Sequence, residues 1–363
     1  MKILTALIFL FGFLAPHILN AGAPVLPEGF KLETFAIVPN ARSLAPASEI
    51  NTVFVGTRGP DIFAIIDTPL GSPLQKKVIH VARNLNVANG IAYRSPYLYV
   101  AEQYRLIRYK IDKTPTGLLK NPEVLYTKFP DKSWHGWRYI TFDEHGALFV
   151  SLGVACNLCE PTGLEGTIVK FDPSTWQPEI YANGIRNSVG LAFHPQIKNL
   201  YFTDNGVDNM GDNLPSDELN VVQKAGQHFG YPYYGGGLTR TELFDAKKAQ
   251  NSKAPLYQFQ AHVAPLGLHF YQGNHFPKRY QGGLFVAQHG SWNRSTPVGY
   301  SISFFPSNHK GDLCTKEDFV KNWLDPEGGS TARPVDIKEW RDGRLLISDD
   351  QEDKVYIISY QTP

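Results

Sequence analysis

Beyond its first residues the chain has no apolar run that approaches membrane-spanning length, no low-complexity tract and no break in composition that would mark a linker. Neither sign of charge is in excess: 35 Lys and Arg face 34 Asp and Glu, a formal net charge of +1. That balance offers no basic stripe to nucleic acid and argues against a polyanionic partner. Long amphipathic patterns of helical period are also missing, which leaves little room for helix. Cysteine is scarce, at three residues. Cys156 and Cys159 stand in Cys-Asn-Leu-Cys-Glu, and Glu160 occupies the place where covalent haem attachment needs His. A second ligand pair at zinc spacing is absent. The pair reads as a local disulfide bracing a loop in an oxidising compartment, the alternative being a redox-active dithiol. Cys314 reads as a buried or free thiol.

What the chain does have is 32 Gly, 26 Pro and 13% aromatics, a composition suited to short strands joined by tight turns. Met1-Lys2 followed by the apolar run Ile3 to Leu19 and by Asn20-Ala21 reads as a signal peptide, residues 1–21, cut after Ala21. A cut after Ala23 would place Pro24 next to it, which disfavours that site, and a retained anchor helix is the other reading. The expectation is therefore an exported protein, periplasmic or secreted, with residues 22–363 forming one domain that does not insert stably in a membrane.

Six times an apolar run carrying Gly or Pro is followed, roughly ten residues later, by a strand ending in a polar residue. The pairs are Leu44 with Thr52-Val-Phe-Val-Gly-Thr, Gly90-Ile-Ala with Leu98-Tyr-Val-Ala-Glu, and Tyr139-Ile-Thr-Phe with Ala147-Leu-Phe-Val-Ser. The others are Gly190-Leu-Ala-Phe with Leu200-Tyr-Phe-Thr-Asp, Gly267-Leu-His-Phe with Leu284-Phe-Val-Ala-Gln, and Pro334-Val-Asp-Ile with Arg344-Leu-Leu-Ile-Ser-Asp. A repeat of about 45 to 75 residues made of short strands predicts an all-β fold, a six-bladed β-propeller of four-stranded antiparallel sheets. Phe30-Lys-Leu-Glu-Thr-Phe-Ala-Ile is the expected closing strand, paired with Lys354-Val-Tyr-Ile-Ile-Ser-Tyr. Polar residues at equivalent repeat positions should then converge on one mouth of the axis, and the polar stretches 205–237 and 238–264 are long enough to be functional loops.

Several mouths carry chemistry. Trp134-His135-Gly136-Trp137-Arg138 precedes the third repeat, where His135 could present an imidazole of pKa near the working pH as a general base, or simply pack between the Trp rings. Gly184-Ile-Arg186-Asn187 precedes the fourth repeat and offers a guanidinium fork and an amide, or a loop salt bridge. Thr203-Asp204-Asn205-Gly206-Val207-Asp208 and Ser216-Asp217-Glu218-Leu219-Asn220 supply hard oxygen donors of the kind calcium takes, without EF-hand spacing. Gln288-His289-Gly290-Ser291-Trp292-Asn293-Arg294 follows the fifth repeat's strand, and Arg333 opens the sixth. A channel mouth holding Arg186 and Arg333 would be cationic with an aromatic wall, suited to a planar anion.

Assembled, these motifs resemble the soluble quinoprotein glucose and sorbosone dehydrogenase family, which includes bacterial aldose sugar dehydrogenases. Those that carry the resemblance are the His135 mouth, Gly-Ile-Arg186-Asn187-Ser-Val-Gly-Leu-Ala-Phe-His-Pro, Asn205-Gly206 with Asp217-Glu218-Leu219-Asn220, Gly230-Tyr-Pro, His289-Gly-Ser-Trp-Asn-Arg294 and Arg333-Pro-Val-Asp. The run at 289 and the Cys-Asn-Leu-Cys pair look most like the sorbosone branch. The resemblance implies pyrroloquinoline quinone (PQQ) and Ca2+ at the propeller mouth and oxidation of a small sugar or aldehyde, with electrons passed on to a periplasmic acceptor. It implies His135 as the base, Arg186 and Asn187 beside the cofactor's reactive carbonyl, and the backbone carbonyls of Gly206 and Val207 as calcium ligands with Asn205 nearby. Arg333 would pair with cofactor carboxylates, Asn89 would face the substrate, and His289, Asn293 and Arg294 compete for a cationic role at the fifth blade. The chain departs from the glucose-oxidising members where Ser133 and Trp134, rather than Asp, precede His135, where Val207 replaces the usual proline, and in a longer calcium loop. A calcium-dependent lactone hydrolase and a non-catalytic sugar- or protein-binding propeller are the rival readings.

Overall fold

The structure is a computed structural model describing residues 23–67, 76–249, 251–324 and 328–362; the expected signal segment lies outside them. Six sheets form the propeller. Blade 1 runs outward through Ala41–Ala47, Thr52–Thr57, Ile62–Ile66 and Lys77–Ala82, and blade 2 through Gly90–Arg94, Tyr97–Ala101, Leu106–Lys110 and Glu123–Tyr126. Blade 3 comprises Tyr139–Phe142, Leu148–Leu152, Thr167–Phe171 and Pro178–Asn183, and blade 4 Leu191–Phe193, Leu200–Asp204, Glu218–Val222 and Tyr257–Gln258. Blade 5 comprises Pro265–Phe270, Leu284–Gln288, Ser301–Phe305 and Glu317–Val320, and blade 6 Pro334–Glu339, Leu345–Asp349 and Lys354–Tyr360, completed by Phe30–Ile37. The six innermost strands touch in a closed ring. Each predicted run-and-strand pair is the first and second strand of one blade.

Six large hydrophobic clusters each join two neighbouring blades, for example Phe54 and Ala64 of blade 1 with Leu98 and Val100 of blade 2, and Leu346 and Val355 of blade 6 with Val53 and Val55 of blade 1. A second strand is therefore apolar on both faces, and Thr52–Thr57 and Leu200–Asp204 are buried throughout. This is why these strands read as continuous apolar runs rather than as an alternation. The repeated glycine at the start of an innermost strand answers the crowding at the axis. A Cβ on Gly190 would lie 2.0 Å from the Leu266 carbonyl oxygen, one on Gly90 2.6 Å from that of Arg138, and one on Gly267 2.7 Å from that of Val335.

Phe30–Ile37 pairs antiparallel with Lys354–Tyr360, from Phe30 opposite Tyr360 to Ile37 opposite Lys354, as expected. Two additions were not expected. Gln227–His228 joins blade 3 as a parallel fifth strand, and Tyr234–Gly236 pairs with Thr239–Arg240 as a small hairpin. No helix among the described residues is long and apolar enough to cross a membrane.

Candidate functional site

The loops that enter the innermost strands are held by the polar residues that end the second strands. Asp204 accepts the backbone N–H groups of Arg186 at 2.9 Å and Asn187 at 2.6 Å. Asp349 accepts that of Arg333 at 3.0 Å, and Glu102, just past its strand, accepts that of Asn86 at 2.6 Å. Two of these clamps fix the backbone of a cleft arginine. The innermost strands of blades 1, 5 and 6 are irregular at the same end, between Ala41 and Leu44, Pro265 and Leu268, and Pro334 and Ile337. Such bulges re-aim side chains.

The entry loops surround a cleft of ≈ 340 Å³ lined by Arg42, Arg58, Arg186 and Arg333 together with His135 and His289. Arg42 is almost fully buried. Its Nη1 donates to Asp350 Oδ2 at 2.6 Å and its Nε to Asn89 Oδ1 at 2.5 Å. Asp350 also accepts from His289 Nε2 at 2.8 Å and lies 3.8 Å from Arg58 Nη1. Burial alone would raise the Asp350 pKa, but the His289 hydrogen bond and the Arg42 charge outweigh it and hold the carboxyl well below its ordinary range. The guanidinium carbons of Arg42 and Arg58 stand 5.2 and 5.0 Å from the centre of the Trp137 ring. Arg333 donates through Nε to the His289 carbonyl at 3.1 Å and through Nη2 to that of Gly290 at 2.7 Å, which leaves Nη1 without a partner among the described residues.

His135 has a left-handed backbone, φ 52°. Gly153 makes room for it, since a Cβ there would lie 2.6 Å from His135 Cβ. Nδ1 stands 2.7 Å from the Val154 carbonyl oxygen and so carries the proton, and Nε2 accepts from the Trp134 indole N–H at 3.1 Å. Burial, and then the Arg186 charge, push the His135 pKa down to about 3 against the Val154 bond. The imidazole is therefore neutral, with its lone pair on Nε2, rather than poised near neutral pH as the sequence suggests.

At blade 4, Arg186 is both a cleft residue and a loop ion pair. Its Nη2 is 2.8 Å from Asp208 Oδ2, and its Nη1 donates to the Asn205 carbonyl at 3.2 Å. Asp217 accepts the N–H groups of Gly206 at 2.7 Å and Ala264 at 2.8 Å. Asp204 lies directly opposite Glu218 in the ladder. Burial raises Asp217 to about 6, and it pushes Asp204 and Glu218 upward too, Glu218 further by the Asp204 charge facing it. The carbonyls of Gly206 and Val207 receive no donor among the described residues, and the buried Asn187 Oδ1 has no partner. No group of three or more His, Cys, Asp or Glu side chains among the described residues is arranged to hold a metal. What blade 4 leaves open is neutral carbonyl and amide oxygen, donors of the type calcium accepts.

Of the residues marked in the sequence, His135, Arg186, Asn187, Asn205, Gly206, His289, Asn293 and Arg333 line this one cleft, with Asp208 and Asp217 among them. The Val207 side chain packs away from it, against Val154 and Tyr231. Asn89 lies fully buried beneath Arg42, donating to the Arg138 carbonyl at 2.6 Å. Arg294 is outside the lining, tied to the Asp212 carbonyl, to Asn213 Oδ1 at 3.1 Å and to the Thr296 carbonyl at 2.8 Å. Arg42, Arg58 and Asp350 were not anticipated. Arg42 had a signal, because it stands at the start of an innermost strand as Arg186 and Arg333 stand just ahead of theirs. The Cys156–Cys159 disulfide is formed, and Cys314 is free and exposed.

Residues 95–293 match the glucose/sorbosone dehydrogenase family, and residues 237–361 match the TrAA12-like family. The chain is 35% identical over 351 residues to an uncharacterized protein of Borreliella burgdorferi, covering 93% of this chain and 90% of that one. It is 27% identical over 234 residues to the aldose sugar dehydrogenase YliI of Escherichia coli, covering 58% and 56% of the two chains. Among solved structures, the holo form of the pyranose dehydrogenase PQQ domain from Coprinopsis cinerea superposes with a TM-score of 0.78 at 20% identity, over 93% of this chain and 97% of that one. At that identity the superposition speaks to the fold.

Proposed function

The chain belongs to the glucose/sorbosone dehydrogenase family, and on that premise we propose that it is a periplasmic or secreted PQQ-dependent dehydrogenase oxidising an aldose sugar or a sorbosone-like aldehyde. One observation carries this reading: a cationic, Trp-backed wall, an open set of hard oxygen donors and a neutral imidazole share a single cleft. The residues present fit a planar polycarboxylate. Arg42 spends Nε on Asn89 and Nη1 on Asp350, so its Nη2, the Arg333 Nη1 and the Arg58 guanidinium, none of them hydrogen-bonded among the described residues, are the donors left for ligand carboxylates, and Trp137 offers a flat face. The carbonyls of Gly206 and Val207, with Asn205 beside them, would hold Ca2+ while leaving coordination positions for the ligand. When bound, the quinone supplies the hydride acceptor.

The protein's part is to bind, orient and deprotonate. The Nδ1–H bond to Val154 fixes the His135 tautomer, so Nε2 is the atom that accepts a proton from the substrate hydroxyl. That hydroxyl takes the place of the Trp134 N–H, whose ring is exposed and free to yield. The apolar N-terminal run and the closed Cys156–Cys159 bridge support export to an oxidising compartment, where a periplasmic carrier would accept the electrons.

The test is to purify the protein without cofactor, add PQQ and Ca2+, and follow dye reduction over a panel of aldoses and sorbosone. Activity that requires the quinone is expected; silence across the panel together with no quinone binding by absorbance would overturn the reading. His135→Gln should keep quinone affinity and lower turnover by about a hundredfold or more. Unchanged turnover would remove His135 from the chemistry.

A further inference from the structure

The tip of the Cys156–Cys159 loop reaches into the cleft wall through one side chain. Asn157 takes Arg186 at two points: its backbone carbonyl accepts from Nε at 2.9 Å and its Oδ1 from Nη2 at 2.8 Å. The same Oδ1 accepts the Asp208 N–H at 2.8 Å, and Nδ2 donates to the Asp208 carbonyl at 3.0 Å. Asn157 thus grips both members of the Arg186–Asp208 ion pair. The loop that carries it is tethered in turn. The Cys159 N–H donates to the buried Tyr231 hydroxyl at 2.9 Å, and the two cysteines and Leu158 pack on Val154, Val207 and Tyr231. No regular element passes through Cys156–Cys159. The covalent bridge and the Tyr231 contact are what set the position of Asn157.

We propose that Asn157 is the positioning residue for Arg186 and Asp208, and that the disulfide enclosing it keeps the cleft in its ligand-ready form. Reduction by a dithiol breaks one S–S bond, yields two cysteine thiols and leaves the reductant as its own disulfide; the loop then loses the constraint that points Asn157 at Arg186. The inference rests on the proposed function for the identity of the ligand, but the clamp itself can be read without any ligand.

Labelling with phenylglyoxal, mapped by peptide mass spectrometry, reports the accessibility of each cleft arginine. In the oxidised protein Arg186 should react slowly. After reduction with dithiothreitol, in the Cys156→Ser, Cys159→Ser double variant and in Asn157→Ala, its labelling should rise about tenfold or more, the scale of losing hydrogen bonds to a charged group. Arg333, held from blade 5, should not change. Asn157→Asp keeps an acceptor for Nη2 and should restore most of the protection. If Asn157→Ala fails to fold, the reduced wild-type protein, checked for its melting transition, gives the same reading. Arg186 labelling that is indifferent to reduction and to Asn157→Ala would overturn the proposal. With added PQQ and Ca2+, Asn157→Ala should bind the quinone about tenfold more weakly by absorbance titration, with Asn157→Asp between it and the wild type. Equal affinity in all three would overturn the link to ligand binding. A wild type that binds no quinone but still shows the labelling change would uphold the clamp and defeat the proposed function.

Discussion

At Asp350 a single buried carboxylate accepts from Arg42 and from His289, and the residues it ties together lie 308 and 61 positions away. Asp350→Asn would leave the buried Arg42 guanidinium without its counter-charge, and breaking such a pair costs about 3–5 kcal/mol. Urea unfolding should show the loss as a lower midpoint at unchanged slope. Two of the cleft histidines, His135 and His289, bear on the acid limb of stability. His135 and His289 titrate at about 3 and about 4 in the folded chain, both pushed down chiefly by burial, against about 6.5 when unfolded. From pH 6.5 downward these histidines take up protons in the unfolded chain that the folded one refuses, so their contribution to stability falls as pH drops toward 4 and then 3. The blade 4 carboxyls that burial raises pull the other way over the same range, so the histidine contribution is read as a difference: between pH 7 and 4 the melting temperature of the wild type should fall relative to that of a His135→Gln, His289→Gln double variant. The sequence marked His289 by its glycine and aromatic neighbours. It gave no sign of Asp350, because an Asp-Asp pair at a strand end does not say which carboxylate turns toward a cation from another blade.

Among the elements, most innermost strands were legible because a Gly or Pro stands in or beside a short apolar run, as at Gly90, Gly190, Gly267 and Pro334, and the structure supplies the cause in the close approach of neighbouring blades. Gly190→Ala would drive a methyl into the Leu266 carbonyl, backbone against backbone, and should cost about 3 kcal/mol or more or abolish soluble expression. Gly117→Ala, with nothing within 4 Å of the added carbon, is the control and should be near neutral. Soluble yield and denaturant midpoint of the two variants test the crowding argument. Elements too short to show a period escaped the sequence reading. Gln227–His228 and the Tyr234–Gly236 hairpin are two- and three-residue strands, fixed by what they pair with rather than by their own pattern.

For the whole molecule, closure depends on Phe30–Ile37, the one strand of blade 6 drawn from the other end of the chain. Phe30 packs its ring within 5.1 Å of Phe276, Tyr280, Phe319 and Tyr360, so the closing strand also seals the apolar layer between blades 5 and 6. A chain beginning at Val38 would expose Lys354–Tyr360 as an open edge beside uncovered aromatic rings. It should aggregate or lose its single melting transition, as size-exclusion chromatography and calorimetry would show. The sequence by itself determined the number of blades, the first two strands of each and the strand that closes the ring, because burial on both faces and crowding at the axis leave their mark on residues close together in the chain. It also marked residues of several blades, His135, Arg186, His289 and Arg333 among them, that meet in the cleft. Only the tertiary structure decided how their charges are paired, that Arg42, Arg58 and Asp350 join them, and that Asn157 grips Arg186. Those contacts join distant segments, and the pleat and bulges of six blades set which atoms come within hydrogen-bonding reach.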